Sequence, residues 1–152
     1  MQNQTYSENK KAGYEYEILE KFEAGLVLTG QEVKSIRGGH ITLSGSYIII
    51  NTKNEPDLVG SKIPPYQPNN TPSGYNHERP RKLLLTKKEI DYLQGRVKEK
   101  GFSLIPLKVF DKSGRIKLEL ALARGKKQYD KKEKIKNRDV EREVNRELAN
   151  NK

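Results

Sequence analysis

The side chains that could do covalent or metal chemistry are few and poorly placed for it. The chain has no cysteine and two histidines, His40 and His77. Disulfides, thiolate nucleophiles, Cys-ligated zinc and three-His metal centres are therefore excluded. His40 follows Gly38 and Gly39 as a loop residue, and His77 sits beside Glu78 in a proline-rich stretch, which reads as a surface pair. Arg124-Gly-Lys-Lys127 has only a superficial likeness to a phosphate loop: that pattern needs glycine where Leu120 stands and Ser or Thr where Lys127 stands. Carboxylates are plentiful but interleaved with Lys and Arg, as on a solvated face. Nothing here assembles into a catalytic centre.

What remains is electrostatics and stacking. The 152 residues carry 30 Lys+Arg against 20 Asp+Glu, a net charge of +10, with eight Tyr to three Phe. Basic clusters recur at Lys10 and Lys11, at Arg79, Arg81 and Lys82, at Arg96, Lys98 and Lys100, and at Arg124, Lys126 and Lys127. Basic side chains neutralise phosphates and tyrosines stack on unpaired bases, so this combination points to RNA. Tyr14, Tyr16 and Tyr129 flank basic segments and are placed to stack, whereas Tyr47 and Tyr92 read as half-buried strand and helix residues. No run approaches the ~18–20 apolar residues of a membrane span, and the polar start lacks a secretory apolar region. The expectation is a soluble, cytoplasmic protein with no membrane contact.

The elements that must position these residues occupy only part of the chain. Hydrophobic residues make up 33%, below the ~45–50% apolar share of typical domains, so one compact core is all that can form. Residues 124–152 hold 11 of the basic and 6 of the acidic residues, hence half the net charge in a fifth of the chain. Such a segment buries too little apolar surface to offset its ordering entropy. Val140, Val144 and Leu148 give it a narrow stripe at every fourth residue, predicting a helix that forms only when docked.

The earlier residues read mostly as strands. Tyr14, Tyr16 and Ile18 alternate onto one face, 26–28 and 47–50 are short apolar runs, and 102–110 pairs with 115–123 across a turn at 111–114. In the last strand Ile116, Leu118, Leu120 and Leu122 share the core face, with Lys117, Glu119 and Ala121 opposite. A short helix is expected at 31–37, ended by Gly38 and Gly39. A longer one begins at Thr86, with Glu89 completing a capping box, and runs to Gly101. Residues 64–80 hold five of the seven prolines and read as a long surface loop. Several strands with two helices predict a small β-barrel.

Beyond these patterns, the order and spacing of Asn9-Lys-Lys-Ala12, Phe22-Glu-Ala-Gly25, Gly30-Gln-Glu-Val-Lys-Ser-Ile-Arg37, Ser46-Tyr47, Asn76-His77, Arg81-Lys-Leu-Leu-Leu85, Glu89-Ile90 and Arg124-Gly-Lys-Lys-Gln-Tyr-Asp130 resemble the SsrA-binding protein (SmpB) family. The resemblance runs from about Asn9 to Arg146. It implies an antiparallel β-barrel with an embedded OB-like fold, two or three short helices and no enzymatic activity or cofactor. It implies binding to the tRNA-like part of tmRNA and delivery to ribosomes stalled on broken messages, where tagging for degradation follows. It places tmRNA contacts at Glu23, Leu84 and Lys117. It sends the tail, from Tyr129, Asp130, Lys131 and Lys132 onward through Lys134, Lys136 and Arg138, into the empty small-subunit decoding centre and message channel. Elongation factor Tu with GTP is the further partner implied, and the protein is expected to be a monomer.

The full expected RNA-binding set adds Lys11, Tyr14, Arg81, Lys82, Arg124, Lys126 and Lys127 from the basic clusters and tyrosines. The barrel is expected over residues 1–124 and the tail over 125–152. Three departures from the family pattern stand out. Gly13 replaces a basic residue, Lys132 replaces an arginine and so loses its planar fork, and the loop before Arg81 is about two residues short. The alternative reading is a ribosomal or other RNA-binding protein with a basic tail.

Overall fold

A computed structural model describes residues 4–67, 69, 74–99 and 101–125. In chain order the elements are β1 (Thr5–Glu8), α1 (Ala12–Glu15), β2 (Tyr16–Leu26), α2 (Gly30–Arg37), β3 (Tyr47–Ile50), β4 (Pro56–Val59), β5 (Arg81–Leu84), α3 (Lys87–Val97), β6 (Phe102–Lys112) and β7 (Arg115–Gly125). The strands form one antiparallel sheet in the order β1-β6-β3-β4-β5-β2-β7, and β6 also pairs with β7. That last pairing closes six strands into a ring, leaving only β1 outside it. The expected small barrel is what forms.

The β6–β7 hairpin is its longest ladder, with Lys112 opposite Arg115 at the turn. The two turn residues, Ser113 and Gly114, have φ of 52° and 83°. A two-residue turn with both φ positive matches the twist of the flanking strands, and glycine adopts it without strain. From this hairpin Leu118, Leu120 and Leu122 point into the barrel, wholly buried with Ile36 of α2 and Leu93 of α3. Both longer helices begin on capping boxes, Thr29 with Glu32 and Thr86 with Glu89. The box at Thr86 is as expected, while α3 ends at Val97, short of Gly101.

Two expectations are corrected. Tyr14 belongs to α1 rather than to a strand with Tyr16 and Ile18. Residues 26–28 are no separate strand, because β2 continues unbroken from Tyr16 and stops at Leu26. Ala121 does lie on the face opposite the leucines, but that face is covered there: Ala121 is buried in a second small cluster with Ala12, Ile105 and Ala123, against which Tyr16, Ile18 and Leu107 pack. Register shifts between Ile18 and Glu20 and between Pro106 and Lys108 explain the second cluster. Each bulge reverses the in–out alternation of its strand. Ile18 therefore faces outward beside Ala123 under α1, while Phe22 and Ala24, beyond the bulge, face the main core.

The expected boundary at residue 124 falls one residue before the end of β7. β7 continues through Gly125, paired with Tyr16, and the tail from residue 126 lies outside the described residues. Among the described residues no helix is long and apolar enough to cross a membrane.

Candidate nucleic-acid interface

Three adjacent strands, β5, β2 and β7, bring the separated motif residues onto one outward surface. Gly25 of β2 stands opposite both Leu84 of β5 and Lys117 of β7. Glu23, two residues back on the same face, stands opposite Glu119. Partners across an antiparallel ladder point to the same side, so Glu23, Leu84 and Lys117, far apart in the chain order, share one surface. The parity of the inward leucines fixes this: with Leu83 and Leu118 wholly buried, Leu84 and Lys117 must turn out. Leu84 is 56% exposed, an unusual state for a strand leucine and one suited to contact with a base.

The electrostatics of this face are mixed. Glu23 and Glu119 lie opposite one another, a repulsive pairing. Lys112 relieves it, its Nζ donating to Glu23 Oε2 at 2.8 Å. Lys108 stands in register with Glu119 from the other side. Lys117 and Arg115 enter no ion pair among the described residues. A negative side chain next to a lysine cannot attract phosphate, but it can accept from base edges or a 2′-hydroxyl and hold the lysine in place. Below Leu84 a shallow groove of about 320 Å³ is lined by Gly25, Leu84, Arg37, Arg115 and Lys117, among others.

The remaining expected residues are scattered. Lys82 is exposed on the same outward side of β5 as Leu84 and pairs with Glu55 at 3.5 Å. Lys11 precedes α1 and lines a second hollow, between α1 and the 44–47 turn, while Tyr14 is 59% exposed on α1. Arg124 is exposed near the end of β7, donating to Glu17. Lys126, Lys127 and the whole tail set, Tyr129, Asp130, Lys131, Lys132, Lys134, Lys136 and Arg138, lie outside the described residues.

Arg81 is a correction. It is fully buried, its Nε donating to Glu32 Oε2 at 2.9 Å and its two terminal nitrogens to the carbonyls of Ser61 at 3.0 Å and His77 at 3.1 Å. Its guanidinium ties β5 to α2 and to the 61–80 loop, and no RNA can reach it. Glu32, equally buried, also accepts from Arg79 at 2.6 Å and from the Thr29 amide at 2.9 Å. Burial pushes the Glu32 carboxyl up, but the bonds from Arg79, Thr29 and Arg81 outweigh it and hold the carboxyl below the usual range. Alternation along β5 already placed Arg81 inward with Leu83. The basic cluster with Lys82 masked that signal.

Four residues of the outward face escaped the sequence reading of the site: Gly25, Arg37, Lys112 and Arg115. Gly25 and Arg37 end motifs that were legible as motifs, but the groove they line exists only once three strands and α2 meet. No group of three potential metal-ligating residues occurs among the described residues. Glu78 pairs with Lys62 at 3.7 Å rather than with His77.

Comparison with known proteins gives a consistent result. A family model described as SmpB protein matches residues 6–150. An SsrA-binding protein of Magnetococcus marinus is 50% identical over 147 residues, covering 95% of this chain and 95% of that one. One from Oleidesulfovibrio alaskensis is 49% identical over 145 residues, covering 93% and 90%. A solved structure described as "tmRNA-SmpB: a journey to the center of the bacterial ribosome" superposes with a TM-score of 0.67 at 41% identity, over 85% of this chain and 93% of that one.

Proposed function

The chain belongs to the SmpB protein family, and from that premise we propose that it binds the tRNA-like part of tmRNA and carries it to stalled bacterial ribosomes for trans-translation. It acts as an RNA-binding factor and not as an enzyme. The observation that carries this reading is the convergence of Glu23, Leu84 and Lys117 on one outward surface around Gly25. These residues combine an apolar seat, a cation in no ion pair among the described residues, and a hydrogen-bond acceptor. That is the equipment for gripping a folded RNA by shape and charge together.

The basic tail takes the second half of the work. Residues Tyr129 to Arg138 occupy the decoding centre and message channel of the small subunit, their lysines on ribosomal phosphates and Tyr129 stacked on a base. Elongation factor Tu with GTP joins through the tmRNA, the protein acts as a monomer, and the work is done in the cytoplasm.

Sequencing the RNA that co-purifies with the protein tests the first half. One small RNA with a tRNA-like end should dominate, whereas stoichiometric ribosomal RNA would favour a ribosomal protein. The second half is tested by a chain ending at Lys127. It should bind tmRNA nearly as well as the full chain and fail to support tagging on stalled ribosomes. Retained tagging would sink the tail's role, and lost binding would show that the two halves do not separate.

A further inference from the structure

Four elements converge on the last residues of β7, where the chain leaves the barrel. Gly125 stands opposite Tyr16 on β2, and Arg124 stands opposite both Glu17 on β2 and Phe102 on β6. The strand end is therefore paired on two sides, where the end of a chain element would otherwise fray. Tyr16 also closes α1, its N–H donating to the Ala12 carbonyl. Phe102 lies beneath the Arg96 guanidinium of α3, with 4.9 Å between that group and the ring centroid. Across the β2–β7 rung, Arg124 Nη2 donates to Glu17 Oε2 at 2.5 Å. The Arg124 stem passes Gly101, where φ is 89° and a Cβ would lie 4.0 Å from Arg124 Cγ.

The Glu17–Arg124 pair adds little to the stability of the fold. Both side chains are about half exposed, 52% and 53%, and water screens such pairs. Its position is what gives it a task. A barrel seated on tmRNA and a tail working in the message channel are joined only through the end of β7. The effective concentration of a tethered segment at its target falls as slack is added to the tether. Any rung of β7 that opens adds slack at the root of the tail. Given the tail reading above, we propose that Glu17 and Arg124 form a clasp that fixes the root and heading of the tail. Arg124 is then a positioning residue for engagement of the ribosome rather than a contact to RNA phosphate. The pair as a unit is neutral, so it offers a phosphate little attraction.

A clasp and a phosphate contact give opposite results when Glu17 is changed. As half of a clasp, Glu17→Ala should slow tagging on stalled ribosomes about two- to five-fold, the opening that loss of one cross-strand charge pair allows. Its tmRNA affinity and melting temperature should match those of the parent chain. Arg124→Ala should slow tagging as much, and the double variant no more than either single one. Glu17→Arg combined with Arg124→Glu restores the pair with its charges exchanged and should recover the parent rate. Amide hydrogen exchange over residues 121–125 should quicken in the single variants and return to the parent rate in the exchanged pair, a change that loss of an RNA contact would not produce. If Arg124 instead grips phosphate, Arg124→Ala flattens the log K against log salt slope for tmRNA by about 0.7–0.9. Glu17→Ala then tags at the parent rate and the exchanged pair stays impaired, a pattern that overturns the clasp. The chain ending at Lys127 is the control for the tail itself. Tagging by that chain overturns the tail reading on which the clasp rests. A truncated chain that fails to tag, beside unimpaired Glu17→Ala and Arg124→Ala, overturns the clasp alone.

Discussion

Glu32 is the residue on which the most structure converges. It completes the capping box of α2, accepts both Arg79 and Arg81, and lies almost wholly buried. A buried charge pair adds little over a well-packed apolar substitute, yet removing one partner strands the other. Glu32→Gln should therefore cost about 3–5 kcal/mol by leaving Arg81 uncompensated, measurable as a lower denaturant midpoint with an unchanged slope. The pH dependence has a fixed sign. The Glu32 carboxyl is held below its ordinary value, so its contribution is complete above the unfolded glutamate pKa and is lost as pH falls through the lowered folded value. The parent chain should lose stability on acidification into that window, and Glu32→Gln should lose less. An equal acid loss in both would assign the effect to other carboxylates. Neither Glu32 nor Arg81 was legible as a buried pair, because 49 residues separate them and charged residues are seldom fully buried. Glu23, Leu84 and Lys117 were legible through their motifs, with their convergence added by the strand register.

Among the elements, the β6–β7 hairpin does most to build the candidate interface. It supplies Lys117, Arg115 and Lys112 on one face and the central leucines on the other. Its pairing and its core face were visible in the alternation, while the turn, read over 111–114, closes on Ser113 and Gly114 alone because Asp111 and Lys112 stay paired. The bulges in β2 and β6 were not visible, since one extra residue leaves composition and propensity untouched while reversing every side chain beyond it. The second cluster that buries Ala121 was therefore not foreseen, and neither was the short helix α1 that takes Tyr14 out of the strand beginning at Tyr16. Gly114 is where the hairpin is most sensitive. Its φ of 83° is costly for a residue with a Cβ, so Gly114→Ala should destabilise the fold by about 1–2 kcal/mol. Gly114→Asn should cost less, because asparagine tolerates the left-handed region. Equal melting temperatures for the parent and Gly114→Ala would mean that the turn relaxes to another form.

At the scale of the whole molecule, a ring of short strands closes a core mainly of leucines and isoleucines and turns a mixed-charge face outward. Half of the excess positive charge lies in residues 124–152, leaving the barrel only moderately basic. Shape and a few placed contacts must therefore complement electrostatic attraction when the barrel grips RNA. The general basicity of the chain was plain from composition. The selectivity was not, because it depends on which charges remain unpaired after folding, and Arg81, Arg79 and Lys112 are all engaged with carboxylates. The most direct measurement is a salt titration of the parent chain, Glu23→Ala and Lys117→Glu against the tRNA-like transcript, with an unrelated structured RNA of equal length as competitor. The account predicts that log K falls linearly with log salt at about −0.7 to −0.9 per phosphate, that the transcript outcompetes the unrelated RNA, and that both variants bind more weakly with unchanged melting. Salt-independent binding, equal affinity for the two RNAs, or undiminished affinity in both variants would contradict it.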